Sequence, residues 1–267
     1  IGALPANYNF ELRKTLWRIE QLKATTVALQ FPEGLLVFAT TIADILESFG
    51  GVDTLIMGDV TYGACCVDDL SAAAVGCELL VHYGHSCLVP VDTMACNVLY
   101  VFVEISIDVK HAADSLQLAL PAETRLAMCA TIQFAGALHS IRAVLEPHLA
   151  HVQLPQCKPL SAGETLGCTA PVIEGADAVV YVADGRFHPE GVMIANPSLP
   201  LYRYDPYAKA LTRETYDHAA MRAMRAAAVG AARGATSWGI VLGTLGRQGS
   251  TAILDHVRTT LERRGCT

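Results

Sequence analysis

Three segments of the chain share one pattern, and this self-similarity limits the possible folds more than any other feature. The segments are 25–46 ("TTVALQFPEGLLVFATTIADIL"), 126–145 ("LAMCATIQFAGALHSIRAVL") and 238–261 ("WGIVLGTLGRQGSTAILDHVRTTL"). Each runs from an apolar β-type stretch through a turn with glycine or proline into helical periodicity. Gln30-Phe31 and Gln133-Phe134 align at a separation of 103, as do Cys65 and Cys168. The first segment is followed by "DTLIMGD" and a helix expected to open near Cys65. The second is followed by "HVQLP" and a helix expected to open near Cys168. Farther on, "GCELLVHYGHS" and "GADAVVYVADGRFH" align at 99. Strands alternating with helices in this way predict parallel sheets. The expected class is α/β: three similar repeated α/β domains with small parallel sheets flanked by helices, the third incomplete. The expected divisions are 1–122, carrying Cys65, 123–220, carrying Cys168, and 221–267 as a partial third unit with its own first strand and helix. Matching Pro32-Glu33-Gly34 to the Gly249 region gives a third-copy separation of about 215 and places a third cysteine at about position 280, past Thr267. The Ala-, Arg- and Met-rich stretch 212–234 is expected to be an amphipathic helix joining the second and third units.

Composition narrows the function classes. Of 267 residues, 52% are hydrophobic and 17% charged, and the formal net charge is −7. With no Lys/Arg run, there is no electrostatic case for a nucleic-acid partner. No apolar run approaches the ~18–20 residues of a membrane span. No charged segment followed by an apolar one opens the chain, so no secretory signal is expected. The first residue is Ile, which is consistent with a trimmed leader. Nine cysteines, an odd number in a chain of this size, favour a reducing compartment over a disulfide scaffold. Neither C-x-x-C nor C-x-x-x-C-x-x-C occurs.

Cys65 and Cys168 each fall where a strand ends and a helix is expected to begin. In parallel α/β units that carboxyl edge is where ligands bind, and a helix N-terminus favours the thiolate. Equivalent cysteines in repeated units can face a common axis, and three such thiolates suit a four-iron, four-sulfur cluster with one iron open. Cys66 is assigned to packing, because neighbours on a helix point about 100° apart. Cys77, Cys96 and Cys129 are read as buried packers, and Cys87 and Cys157 lie beside loops of interest. On the residues alone, a zinc hydrolase with Cys/His ligands stays open.

"ALQFPEGLL", "GDVTYGACCVDD", "VHYGHSCLVP", "PLSAGETLGCTAP", "RYDPY" and "WGIVLGTLGRQGS" together resemble the 2-(3-amino-3-carboxypropyl)histidine synthases of diphthamide biosynthesis. The resemblance runs from about Thr25 to the end of the chain, and the cysteine and histidine motifs are nearer the subunit 1 branch than its paralogue. It implies a non-classical radical S-adenosyl-L-methionine enzyme. Three α/β domains each give one cysteine to a [4Fe–4S] cluster, with Cys65 and Cys168 as the first two. It also implies one-electron cleavage of the Cγ–S bond of S-adenosyl-L-methionine. The resulting 3-amino-3-carboxypropyl radical adds to C2 of a histidine in translation elongation factor 2. The implied partners are a paralogous subunit 2 in a heterodimer and a small redox electron donor, and the implied location is the cytoplasm. A non-catalytic or electron-relay subunit of the same complex is the alternative.

Within this resemblance, Gln30, Pro32, Glu33 and Gly34 form a strand-to-helix turn expected to cradle the methionyl end of the substrate. Asp59, Tyr62 and Gly63 lead into Cys65 and are expected to line the site. His82 and His85 flank Gly84 and are read as local hydrogen-bonding groups, with His85 also near the substrate. Asp184, Gly185 and His188 occupy the matching loop of the second copy. "GTLGRQGS" is similar to a phosphate-cradling loop but lacks the Lys-Ser/Thr of a P-loop. It is read as a backbone-rich wall containing Gly246, Arg247 and Gln248, with Arg247 near a carboxylate. Asp68-Asp69 are expected to be the solvated first turn of a helix.

Overall fold

The structure is a computed structural model that describes residues 2–59, 61–244, 246–247 and 249–267. The chain opens with β1 (Tyr8–Asn9) and α1 (Leu12–Leu22). The first parallel unit follows: β2 (Thr26–Gln30), a 3-10 segment Glu33–Phe38, α2 (Ala39–Gly50), β3 (Asp53–Ile56), a 3-10 turn Ala64–Cys66, α3 (Asp69–Ala74), β4 (Leu79–Tyr83) and β5 (Asn97–Val101). Then β6 (Glu104–Ile105) pairs antiparallel with β1, and α4 (Val109–Ala119) leads into the second unit. That unit has β7 (Arg125–Ala130), α5 (Ile132–Leu145), β8 (His151–Gln153), β9 (Ala178–Val182), α6 (Phe187–Ala195), β10 (Leu201–Asp205) and β11 (Ala210–Glu214). Two helices follow, α7 (His218–Ala232) and α8 (Thr251–Arg263).

The two sheets run β3-β2-β4-β5 and β11-β10-β9-β7-β8. Every pairing in them is parallel except β10 with β11. In each, the unit's first strand lies between its second and third, and the fourth lies beyond the third. Parallel strands need crossovers, which cover both faces, so these strands read as continuous apolar runs. Val27, Ala28 and Leu29 are fully buried, as are Leu126 through Ala130. One core packs α1 and α2 onto β2 and β4. Another packs α4 and α5 onto β7 and β9. Ala112, Ala113 and Leu116 of α4 therefore lie in the second core, although the sequence division placed them in the first unit.

The ladder register revises one alignment. Val27 faces Leu79 as Leu126 faces Ala178, so the first and third strands both repeat at a separation of 99. On that register Gln30 corresponds to Cys129, and Gln133 falls in the first turn of α5. The Gln-Phe match at 103 is a coincidence of sequence. The extra residues of the second copy lie between β8 and Cys168, where the chain follows an irregular path, and the helix expected to open near Cys168 is absent. Two further expectations change. Residues 212–214 belong to β11, and α7 starts only at His218, capped by Asp217, whose carboxylate accepts the Ala220 N–H at 2.8 Å. The apolar run from Trp238 is not a strand: Val241 is 94% exposed, and Trp238 is held instead by its N–H to the Thr267 carbonyl. Among the described residues the run pairs with no sheet, and an unpaired strand is not stable alone.

No helix among the described residues is long and apolar enough to cross a membrane. Leu138 of α5 is fully buried in the second core. Leu138→Ala is expected to lower the unfolding free energy by about 2–5 kcal/mol, read as a shifted midpoint in guanidinium denaturation at unchanged slope.

Candidate functional site between the two sheets

In each sheet the crossovers leave in opposite directions from the first and third strands, so the switch point lies between β2 and β4 and between β7 and β9. Ligands of open α/β sheets bind outside the carboxyl ends of strands at such points. Here the two switch points face each other across a cavity of about 310 Å³. Pro32, Gly34 and His85 line it from the first unit, and Gln133, Asp184 and His188 from the second. The units are joined at its walls. Gln133 donates from Nε2 to the Gly84 carbonyl at 2.7 Å, and Ser86 donates its hydroxyl to the buried carboxylate of Glu164. Gly84 is left-handed at φ 76°, and a Cβ there would stand 3.0 Å from Pro32. Thr131 makes no side-chain cap at the start of α5, and Thr131, Ile132 and Gln133 line the cavity.

Cys65 lies in the crossover beyond β3, in the turn Ala64–Cys66 closed by Cys66 N–H to the Gly63 carbonyl at 2.9 Å. A 3-10 turn rotates successive side chains by about 120°. Ala64 and Cys66 accordingly point inward, and Cys65 points out. The turn is too short to act as a helix N-terminus, so the expected lowering of the Cys65 pKa is absent. Desolvation raises the thiol above its ordinary 9.0, and the thiols of Cys66 and Cys168 raise it further. Cys65, Cys168 and Cys87 are the exposed cysteines. Ala64, Leu160 and Leu166 share one small apolar cluster, so the loops of Cys65 and Cys168 are packed together.

The loop of Cys168 is held from several sides. Residues 163–165 extend the sheet, with Ala130 N–H to the Gly163 carbonyl at 2.8 Å and Thr165 N–H to the Ala130 carbonyl at 3.0 Å. Glu164 accepts the Ser161 N–H at 3.0 Å through its second oxygen, and Tyr181 donates its hydroxyl to the Thr165 carbonyl. His188 accepts the Gly167 N–H on Nδ1 at 2.9 Å. Gly191 of α6 lies against Gly167, and a Cβ on it would stand 2.6 Å from the Gly167 Cα.

Residues of the third segment close over the Cys65 turn. Gly246, left-handed at φ 55°, lies where a Cβ would stand 2.7 Å from the Cys66 carbonyl carbon. Arg247 grips Asp69 with both arms of its guanidinium, Nε to Oδ1 at 2.6 Å, and donates to the Thr93 carbonyl at 3.0 Å. Asp69 is thus fully buried and ion-paired, not solvated as its position in a first helical turn suggested. Arg247 is near a carboxylate, as expected, but that carboxylate belongs to the chain itself. Burial alone would raise the Asp69 carboxyl. The hydrogen bonds from Arg247 and from the Ala95 N–H, with the guanidinium charge, overcome burial and hold its pKa below 3.8.

Of the residues expected to meet substrate, Pro32, Gly34, His85 and His188 line the cavity. Gln30 is buried beneath the Cys65 turn. Glu33, Asp59, Tyr62 and Gly185 are exposed outside the cavity lining, and Gly63 precedes the turn. Gln248 lies outside the described residues. Sequence reading missed Glu164, Ser86, Gln133 and Gly191. A buried acid reads as a solvated one, and nothing in the spacing marks a glycine as a contact. His82, His85 and His188 are neutral at physiological pH. Burial, and then His85, push His82 down to about 3, and burial, then His188, push His85 down to about 4 against a backbone hydrogen bond at Tyr83. Among the described residues no three His, Cys, Asp or Glu side chains converge as a ready metal site.

Parallel α/β units with matching strand order that meet at their switch points define a class of α/β protein with a cavity between its units. Residues 31–267 match the family described as "Putative diphthamide synthesis protein", and the chain belongs to that family. It is 58% identical over 268 residues to 2-(3-amino-3-carboxypropyl)histidine synthase subunit 1 of Homo sapiens, covering 99% of this chain and 61% of the relative. The subunit 1 proteins of Danio rerio and Schizosaccharomyces pombe are 56% and 54% identical, with 99% and 98% of this chain and 70% and 62% of theirs covered. The chain thus spans about three fifths of the length of the first of these relatives. A crystal structure of Dph2 from Pyrococcus horikoshii shares the fold, with TM-score 0.82 and 23% identity over 97% of this chain and 76% of that one. A second structure of that protein, with a 4Fe-4S cluster, gives TM-score 0.81 and 24% identity over the same shares.

Two expected outcomes test this geometry. Arg247→Met leaves the buried Asp69 carboxylate without its cation and is expected to cost about 3 kcal/mol near neutral pH. Because folding lowers the Asp69 pKa, the pair stabilises the protein above the unfolded value, and its contribution fades as pH falls below 3.8. Urea midpoints of the two proteins should therefore converge in acid. Gly191→Ala overpacks the Cys168 loop and is expected to cost about 1–3 kcal/mol in thermal unfolding.

Proposed function

We propose that the chain, within its whole protein, transfers the 3-amino-3-carboxypropyl group of S-adenosyl-L-methionine to C2 of a histidine in translation elongation factor 2. This is the first step of diphthamide synthesis. The protein acts in the cytoplasm, as a heterodimer with a paralogous subunit 2, and receives electrons from a small redox protein. The reading rests above all on one observation: the outward thiols of Cys65 and Cys168 lie on loops packed together beside a cavity at two facing switch points. Subunit 1 relatives and the cluster found in the Pyrococcus protein support it.

The donor set fits an iron–sulfur group. Two exposed soft thiols lie on loops that share one apolar cluster. Cys65 and Cys168 would hold a [4Fe–4S] cluster, and a third thiol, about position 280 by the repeat alignment, would come from the third unit. When bound, such a cluster supplies the single electron that breaks the Cγ–S bond of the sulfonium. The chain's own part is placement. Asp184 offers a negative charge for the substrate ammonium, and the uncapped start of α5 offers N–H groups for its carboxylate. Pro32 and Gly34 shape the wall, and His85 and His188, neutral through burial, line it without repelling a sulfonium. Gly246 and Arg247 seat the third segment over the Cys65 turn. We place the unit boundaries in front of α4 and at about residue 220.

In the full-length heterodimer, Cys65→Ala and Cys168→Ala are each expected to lose the visible iron–sulfur absorbance and transfer to the elongation factor. An unchanged spectrum in either variant would sink the ligand assignment. A wild-type complex with an intact cluster but no transfer would favour an electron-relay subunit.

A further inference from the structure

Gln30 ends β2 and stands in register with His82 of β4. The two side chains share a buried face at the carboxyl edge, where Gln30 is 3% exposed and His82 fully buried. The Gln30 carboxamide engages main chain on both sides of Val67. Its Nε2 donates to the Cys66 carbonyl at 2.9 Å, and its Oε1 accepts the Asp68 N–H at 3.3 Å. The same Oε1 lies 2.7 Å from His82 Nδ1. A carbonyl only accepts and a backbone N–H only donates, so the carboxamide has one admissible orientation. That orientation requires the proton of His82 on Nδ1. His82 Nε2 is buried with no hydrogen-bond partner, an arrangement that an apolar side chain at this position would avoid.

We propose that Gln30 and His82 are positioning residues for the Cys65 turn: His82 fixes the carboxamide of Gln30, and Gln30 fixes the main chain that sets the direction of the Cys65 thiol. Neither side chain lines the cavity, so Gln30 is assigned to the support of the thiol and not to the methionyl group. The orientation of a metal ligand depends on such supporting contacts. The inference rests on the reading of Cys65 as a cluster ligand only for its purpose, because the arrangement itself belongs to the protein without a cluster.

The test uses the full-length protein in its complex, freed of cluster, and measures iodoacetamide labelling of Cys65 relative to Cys168 by mass spectrometry. Gln30→Met removes both grips, and Gln30→Glu removes the donor to Cys66 with little change of shape. Both are expected to change the labelling ratio by about threefold or more, the factor that one net hydrogen bond carries. His82→Leu should do the same. His82→Asn keeps an N–H where Nδ1–H stands and should hold the ratio within about twofold of wild type. Any one of these Gln30 or Leu variants that folds, with a midpoint near wild type and an unchanged ratio, overturns the proposal. So does His82→Asn matching His82→Leu. The ratio is read without cluster, so it can fail while the ligand assignment of Cys65 survives, and the reverse.

Discussion

Everything at the site follows from two parallel sheets meeting at their carboxyl edges. Such an edge is a row of loops whose main-chain groups find no partner inside their own sheet, and buried polar groups left unpaired are costly. Here the edges satisfy each other. The Gly84 carbonyl of one unit takes the Gln133 amide of the other, and the Glu164 carboxylate of the second unit takes the Ser86 hydroxyl of the first. The apolar contact among Ala64, Leu160 and Leu166 fixes the spacing between the cysteine loops. The cavity is the space these contacts leave, and its walls come from residues that neither unit positions alone.

The strands of both units were legible because parallel sheets demand unbroken apolar runs, and β2, β4, β7 and β9 have them. The outward aim of Cys65 and the inward aim of Cys66 were legible as well, since any helical turn separates neighbours. The path between β8 and Cys168 was not. Its order comes from contacts with distant residues, namely Ala130, Ser86, His188 and Gly191, and no local period encodes them. The run from Trp238 shows the opposite error, a strand-like sequence without a neighbouring strand. Gln30 was noticed for its position at a strand end, but its partners, Cys66 and Asp68, lie one crossover away.

Charge is used sparingly around the thiols. The histidines nearest the cavity are neutral through burial, and the guanidinium of Arg247 is committed to Asp69. The region between the cysteine loops therefore carries little fixed positive field, and desolvation leaves the Cys65 thiol above its ordinary pKa. A soft donor in this setting gains its anionic form from what binds it, not from a neighbouring cation.

Asp69 and Arg247 are 178 residues apart in the chain. A ribosome delivers the acid long before the base. While the residues between them are made, α3 carries a carboxylate that accepts the Ala95 N–H of its own unit but lacks its cation. The first unit can thus complete its sheet early, but the segment beside its cysteine is finished only when position 247 emerges. The order of translation lets both sheets emerge before the contact that closes over the thiol-bearing turn.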